Sequence, residues 1–454
     1  MHLVAIGGSD AGISAALRAR ELDPSVDVTV IAADAFPNFS ICGIPYYFSR
    51  EVQPWQTLAH RTAAELEATG MALRLETFVT AIDPERRTLT VEAGGVSDDV
   101  SYDELVVGVG ASPARAGISG LDTLGPADGV HVLHSMGDTF ALERDLDERR
   151  PRTAIIIGAG YVGLEMAEAL TVRGLAVTQL QRGPEVLSTF DPQLGAIVHE
   201  ELVDHGVRVE TGVRVASLVR ESAGIVVIAN REGNEVRFTA DIVLVVVGVA
   251  PNTALLSAIG VPVGPGGATV VDPTMRTGIP HVWAAGDGVV THHRLLGETY
   301  LPLGTTAHKQ GRVAGENAIG GTATFAGSVG TQVVKVFDVV AARTGLRDQD
   351  AATAGFSPRT AASSADDHKR YYPGATTIDF RVTGDERDGR LLGAQLVGRR
   401  SAEVSKRVDT FATAIHHRMT VAEMSALDLS YTPPLGSPWD AVQMASQAWE
   451  RGVR

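Results

Sequence analysis

AIIIGAGYVGLEMAEAL, residues 154–170, joins a β-branched run to a helical stretch through Gly158, Gly160 and Gly163. Glycines at that spacing between strand and helix build the turn where a dinucleotide pyrophosphate meets a helix N-terminus. Unpaired N–H groups and the macrodipole favour an anion there. The strand VTQL (177–180) follows, as the next element of such a unit should. Nearer the N-terminus a second unit of the same kind reads LVAI, GGSDAG, ISAALRARELD and VTVI over residues 3–31. Gly7 and Gly12 hold its outer glycine places, with Gly8 beside the first, while Ser9 stands at the middle one. A short polar side chain there still admits a pyrophosphate. The two turns lie too far apart to be halves of one mononucleotide unit, so the chain is read as holding two nucleotides.

At 454 residues the chain has room for two or three domains, each with its own core. A net charge of -15 without a basic block argues against a nucleic-acid partner. The longest apolar run, Ile242 to Ala250, is about half of what a bilayer-spanning helix needs, so no membrane partner is expected. The first strand begins at His2, which leaves no space for a signal peptide, and a single cysteine suits a reducing compartment; a cytoplasmic location is expected. Three apolar segments ending in Gly, Pro or Asp suit crossings between domains: Tyr102 to Pro113, Asp241 to Asn252 and His281 to Val289. From about Phe325 the pattern changes to mixed strands, VVKVF, TIDFRV and LLGAQLV, and then to helices from Ser401. Thr360 to Lys369, rich in Ala, Ser and Asp, reads as a surface loop. The fold class is α/β, two Rossmann-like domains followed by an α+β domain.

Cys42 is the only cysteine and sits in NFSICGIPYY, residues 38–47. Chemistry at a lone thiol must be completed by a cofactor or by a sulfur that the substrate brings. The stretch GIPYYFSREV reads as a helix starting beside it, whose dipole would lower the thiol pKa. The competing reading is a small buried hydrophobe.

The ordered set GGSDAG, ICGIPYY, VGVGASP, GAGYVGLE, VGVAPN, AAGDGV and SYTPPLGSPWD resembles the FAD-dependent pyridine nucleotide-disulfide oxidoreductases over nearly the whole chain. Within them it is similar to the single-cysteine branch of coenzyme A disulfide reductases, NADH oxidases and NADH peroxidases. The resemblance implies an FAD domain (1–113 and 249–324), an inserted NAD(P) domain (114–248) and a C-terminal domain (325–454) that forms a homodimer. It places Gly7, Gly8, Ser9 and Gly12 at the FAD pyrophosphate, Asp287 at the FAD ribityl or phosphate region, and Cys42 beside the isoalloxazine. Gly158, Gly160 and Gly163 would face the nicotinamide nucleotide, with Tyr161 and Glu165 near the nicotinamide. Tyr371 or Tyr372, and Tyr431, would reach across the dimer to the disulfide. Two-cysteine members carry C-x-x-x-x-C; here the second place is Tyr47, so the thiol must pair with an external sulfur or cycle through a sulfenic acid.

Four departures shape the activity expected. Asp10 stands in the first glycine turn where the oxidases and peroxidases carry a histidine; as a bare carboxylate it would repel a sulfenate, although it also reads as a helix-capping residue. Ala32 replaces the acid expected at the FAD ribose, leaving Asp34 as a substitute or a solvated loop charge. Gln181 and Arg182 replace the acid expected at the nicotinamide ribose. They offer donors and a positive charge to a 2′-phosphate unless Arg182 is an ordinary surface cation. Arg18 and Arg20 are candidates for phosphates of a coenzyme A-like substrate or for solvated helix charge, and no histidine pair has metal-ligand spacing. The leading expectation is an FAD enzyme that uses NADPH, with NADH possible, to reduce a small disulfide such as coenzyme A disulfide through Cys42. The alternatives are an NAD(P)H oxidase and a flavoprotein reductase of an electron-carrier protein. Polysulfide, a sugar-thiol disulfide and a metalloid–thiol adduct stay open as acceptors.

Overall fold

The computed structural model describes residues 1–452. His2–Ile6 is the centre of a five-stranded parallel sheet, flanked by Asp27–Ile31 and Met71–Arg74 on one side and by Glu104–Val107 and Val282–Ala284 on the other. Apart from the edge strand Met71–Arg74, its strands are buried on both faces, which is why they read as apolar runs. The second parallel sheet repeats the plan around Thr153–Ile157, with Ala176–Leu180 and Arg208–Glu210 on one side and Ile242–Val245 and Val130–His131 on the other. Each sheet is accompanied by a three-stranded antiparallel sheet, Phe78 to Ser101 in the first case and Arg214 to Ala240 in the second.

The second nucleotide fold is inserted into the first. The chain leaves along Ala111–Pro113 and returns along Val249–Pro251, which pair antiparallel. It then re-enters the first sheet as Val282–Ala284. The helix Gly304–Ala318 lies directly on the first helix, Asp10–Leu22. The contact is backbone on backbone, because a Cβ at Gly311 would meet Ala11 O at 2.3 Å and one at Gly315 would meet Ala15 O at 2.2 Å.

The C-terminal domain is a five-stranded antiparallel sheet in the order Gln332–Val336, Val339–Gly345, Leu391–Arg399, Thr377–Asp385, Pro358–Asp366. Helices Val404–His416 and Ala441–Arg451 pack on it through Phe411, Ile415 and Trp449. The expected loop at Thr360–Lys369 is corrected: most of it belongs to the edge strand Pro358–Asp366, paired from Pro358↔Asp385 to Asp366↔Thr377. Small polar side chains hide its alternation in the sequence, while cross-strand bonds such as Thr360 Oγ1 to Thr383 Oγ1 at 2.8 Å hold it in register.

Gly315→Val places branched carbons against backbone that cannot retreat. We expect it to lower stability by about 2 kcal/mol or more, read as the urea midpoint of the FAD-bound protein. An unchanged midpoint would show that the two helices separate freely.

Candidate active site around Cys42

The two glycine turns share one geometry. Gly7 (φ 117°) and Gly158 (φ 109°) occupy the left-handed half of φ space, where a Cβ would strike the carbonyl of Gly108 at 2.2 Å and of Val246 at 2.4 Å. Gly12 and Gly163 let each helix close on its own turn, since a Cβ would lie 2.1 Å from Gly7 O or Gly158 O. The middle position is different. Gly160 has extended backbone (φ -85°, ψ -170°) and open space where a Cβ would point. Ser9 takes nearly the same conformation (φ -107°, ψ -153°), is exposed and makes no capping bond. A serine is therefore tolerated in the first turn, because that place demands room for a ligand and no special φ.

Cys42 lies in the short turn of helix Ile41–Gly43 and is open to solvent. The α-helix after it, Ile44–Phe48, is only five residues long. The expected lowering of the thiol pKa is corrected: the desolvating walls of the site push it up, and the charges of Glu165, Asp10 and Asp287 add to the rise. So brief a helix has little dipole to set against three carboxylates.

Those carboxylates are themselves held toward neutrality. Burial pushes Glu165 up to about 7, aided by Glu168 and opposed by the Tyr46 hydroxyl, which donates to Glu165 Oε1 at 3.1 Å, and by Lys335. Burial and the neighbouring Asp10 push Asp287 up to about 6, against the backbone N–H of Leu303. Asp10 is raised by burial and restrained by His308 and His60. It is not the bare carboxylate expected, since His308 Nε2 lies 3.3 Å from its Oδ1. Tyr46, His60 and His308 went unnoticed in the sequence. Tyr46 stands inside the quoted ICGIPYY, but nothing local couples His308 to Asp10.

On the second nucleotide side, the Tyr161 hydroxyl donates to Gln332 Oε1 at 2.8 Å, and burial pushes its pKa up to about 12. Lys335 ties this wall together by pairing with Glu168 and, at 3.2 Å, with Glu51. The Gln181 side chain turns inward, donating to Glu185 O at 3.2 Å and accepting from Ala159 N at 3.4 Å. Of the two donors expected at the ribose, Arg182 is the exposed one. Asp34 closes a local turn by accepting from Phe36 N.

The structure does not bring every candidate to Cys42. Tyr371 and Tyr431 lie near each other at the surface of the C-terminal domain, 74% and 45% exposed, and Tyr372, Leu435 and Trp439 of the same domain are exposed as well. Arg20 is spent on the carbonyls of Thr69, Pro24 and Val26. Arg18 is paired with Glu316 at 2.6 Å and Glu21 at 3.0 Å.

Glu165 carries a pH signature. Its pKa is about 7 in the folded chain against an ordinary 4.5, so ionising it costs folding free energy that grows above pH 4.5 and levels off above about pH 7. Glu165→Gln, which keeps an acceptor for Tyr46, should be more stable than the parent by on the order of 2 kcal/mol near pH 8 and equal to it near pH 4. Denaturant unfolding at the two pH values checks this; an equal difference at both would discount the burial effect.

The two turns and the gap at each middle position fit the FAD and nicotinamide nucleotide that the resemblance implies. Residues 1–311 match the family described as pyridine nucleotide-disulphide oxidoreductase, and residues 331–441 match its dimerisation domain. The NAD(P)H sulfur oxidoreductase (CoA-dependent) of Pyrococcus furiosus is 34% identical over 96% of both chains. The coenzyme A disulfide reductase of Staphylococcus haemolyticus is 27% identical over 97% of this chain and 98% of its own. A solved NAD-dependent persulfide reductase from A. fulgidus is 35% identical, with a TM-score of 0.94 over 100% of this chain and 83% of that one. With two nucleotide turns, a solvent-open thiol between acids and matches along nearly its full length, the chain belongs to the pyridine nucleotide-disulphide oxidoreductases, FAD-dependent enzymes that draw electrons from NAD(P)H.

Proposed function

We propose that this enzyme uses NADPH, with NADH also accepted, to reduce the sulfur–sulfur bond of a low-molecular-weight substrate through a mixed disulfide on Cys42. Coenzyme A disulfide is the specific candidate, and the names of the Pyrococcus and A. fulgidus relatives put sulfane sulfur and persulfides beside it. The single observation that carries this reading is that the chain's one thiol is solvent-open within the field of three half-buried acids.

Bound FAD supplies the route by which an electron pair from the nicotinamide reaches sulfur. The protein's own part is positional and acid–base. Gly7, Gly8, Ser9 and Gly12 receive one pyrophosphate, while Gly158, Gly160 and Gly163 receive the other. Asp287, which accepts from the backbone of Leu303 at the head of helix Gly304–Ala318, holds the first nucleotide, and Asp34 has one carboxylate oxygen left for its ribose. Glu165, fixed by Tyr46, stands with Tyr161 beside the nicotinamide place. Cys42 attacks the substrate disulfide and retains one half of it.

The domain limits expected from the sequence are kept, on the support of the strand pair Ala111–Pro113 and Val249–Pro251. The exposed aromatic face at Tyr371, Tyr372 and Tyr431 is the surface we assign to a homodimer that turns these tyrosines toward the partner's disulfide site. We assign the enzyme to the cytoplasm, on the single reduced cysteine.

A second reading, an NAD(P)H oxidase, is favoured by the imidazoles of His308 and His60 near Asp10, which bring histidines to the glycine turn although the turn itself carries none. Rapid oxygen consumption without added disulfide would select it.

Cys42→Ser should keep FAD and nucleotide binding while disulfide turnover falls on the order of 1000-fold. Full turnover in that variant would dismiss the thiol mechanism and leave a reductase of an electron carrier. Arg182→Gln should cut the ratio of kcat/KM for NADPH over NADH by about 10-fold. A parent enzyme that already strongly prefers NADH would overturn the assignment of Arg182.

A further inference from the structure

The first helix presents Asp10 and, one turn later, Ser14 to the helix Gly304–Ala318, and His308 lies across both. Its Nε2 is 3.3 Å from Asp10 Oδ1 and its Nδ1 is 2.9 Å from Ser14 Oγ. Both ring nitrogens therefore have an oxygen partner, a carboxylate that accepts from Nε2–H and a hydroxyl that can donate to or accept from Nδ1. The His60 ring stands edge-on to it, centroids 6.3 Å apart. The His308 side chain is 43% exposed, so a proton lost from it is replaced from water. The charged groups whose fields reach Cys42 are Glu165, Asp10 and Asp287, with Tyr46 bonded to Glu165 and Tyr300 within the field of Asp287. Of these acids only Asp10 has an imidazole against it.

We propose that His308, held between Asp10 and Ser14, is the proton store for the thiol that leaves when Cys42 attacks a disulfide. This rests on the reading of Cys42 as the sulfur nucleophile. In that step Cys42 enters as the thiolate left when its previous mixed disulfide was reduced; its Sγ–S bond forms, the substrate S–S bond breaks, and the departing sulfur takes the electron pair of the broken bond. The proton on His308 Nε2 passes through the Asp10 carboxyl to that sulfur, which leaves as a neutral thiol. The ring, now neutral, is reprotonated by water, and no other oxidant or reductant enters the step. His308 thus acts through Asp10 and is a positioning residue.

A proton store matters only when the leaving sulfur is basic. An alkyl thiolate leaves poorly without a proton, whereas an aryl thiolate of low pKa leaves unaided. His308→Asn in the FAD-bound enzyme, assayed with NADPH, should lose about 100-fold in kcat with coenzyme A disulfide. With 5,5′-dithiobis(2-nitrobenzoate) it should stay within about 3-fold of the parent. Ser14→Ala, which removes the hydroxyl at Nδ1 and leaves Asp10 in place, should show the same split in smaller measure, which keeps the test decisive if the histidine variant loses its flavin. Equal losses with both substrates would mean a structural role and overturn the proposal, as would no loss with either. A split that follows Tyr371→Phe or Tyr431→Phe instead would assign the proton to the tyrosines and overturn it too. Cys42→Ser separates the two levels: if it abolishes both reactions while His308→Asn splits neither, only the proton store fails. If it spares both, the underlying reading fails.

Discussion

The direct seating of the helix Gly304–Ala318 on the first helix is the contact on which the site depends. Gly311 and Gly315 have no side chains, so the two backbones approach to a distance that any Cβ would forbid. This carries Asp287, which accepts from the backbone of Leu303 at the head of the later helix, and His308, on that helix's second turn, to the N-terminal end of the first helix, where Ser9 and Asp10 close the nucleotide turn. A polar rim then follows the seam outward, from Asp10 with His308 and Ser14 to Arg18 with Glu316 and Arg312 with Glu21. Spread the helices by one methyl group and the acid, the imidazole and the thiol no longer share one electrostatic environment.

That environment is acidic by construction. Three carboxylates act on one thiol, and burial holds each of them toward its neutral form, because an ion in a low-dielectric wall loses more hydration than its neighbours return. The arrangement favours a site that stores protons and releases them when negative charge appears on sulfur. It also explains why a thiol at the head of a helix is harder to ionise here than its position suggests: the helix is short, the acids are close, and the walls desolvate the charge. Lys335 offsets the far side of the same cluster through Glu168 and Glu51, so the net charge of the wall is less negative than its list of acids implies.

Local patterns were legible in proportion to how local their physics is. The glycine turns at Gly7 and Gly158 announce themselves because positive φ and helix–strand closeness exclude side chains at fixed spacing. The strands around them are apolar runs because both faces are buried. Thr360 to Lys369 reads as a loop although most of it lies in the edge strand Pro358–Asp366, since its small polar residues show no alternation and its register comes from Thr377–Asp385 eleven or more residues away. Gln181 shows the limit at a single residue: its type suggested a ribose donor, yet its amide is taken up by Ala159 and Glu185 within the fold.

The amino-acid order by itself determined that the chain carries two glycine turns of the dinucleotide kind, each between a strand and a helix. Each of these follows from residues close in sequence whose backbone demands leave few alternatives. Only the tertiary structure decided what surrounds the thiol. Asp10, Glu165 and Asp287 are separated by more than a hundred residues at each step, and their effect on one another and on His308 depends on burial and distance, which no spacing in the sequence encodes.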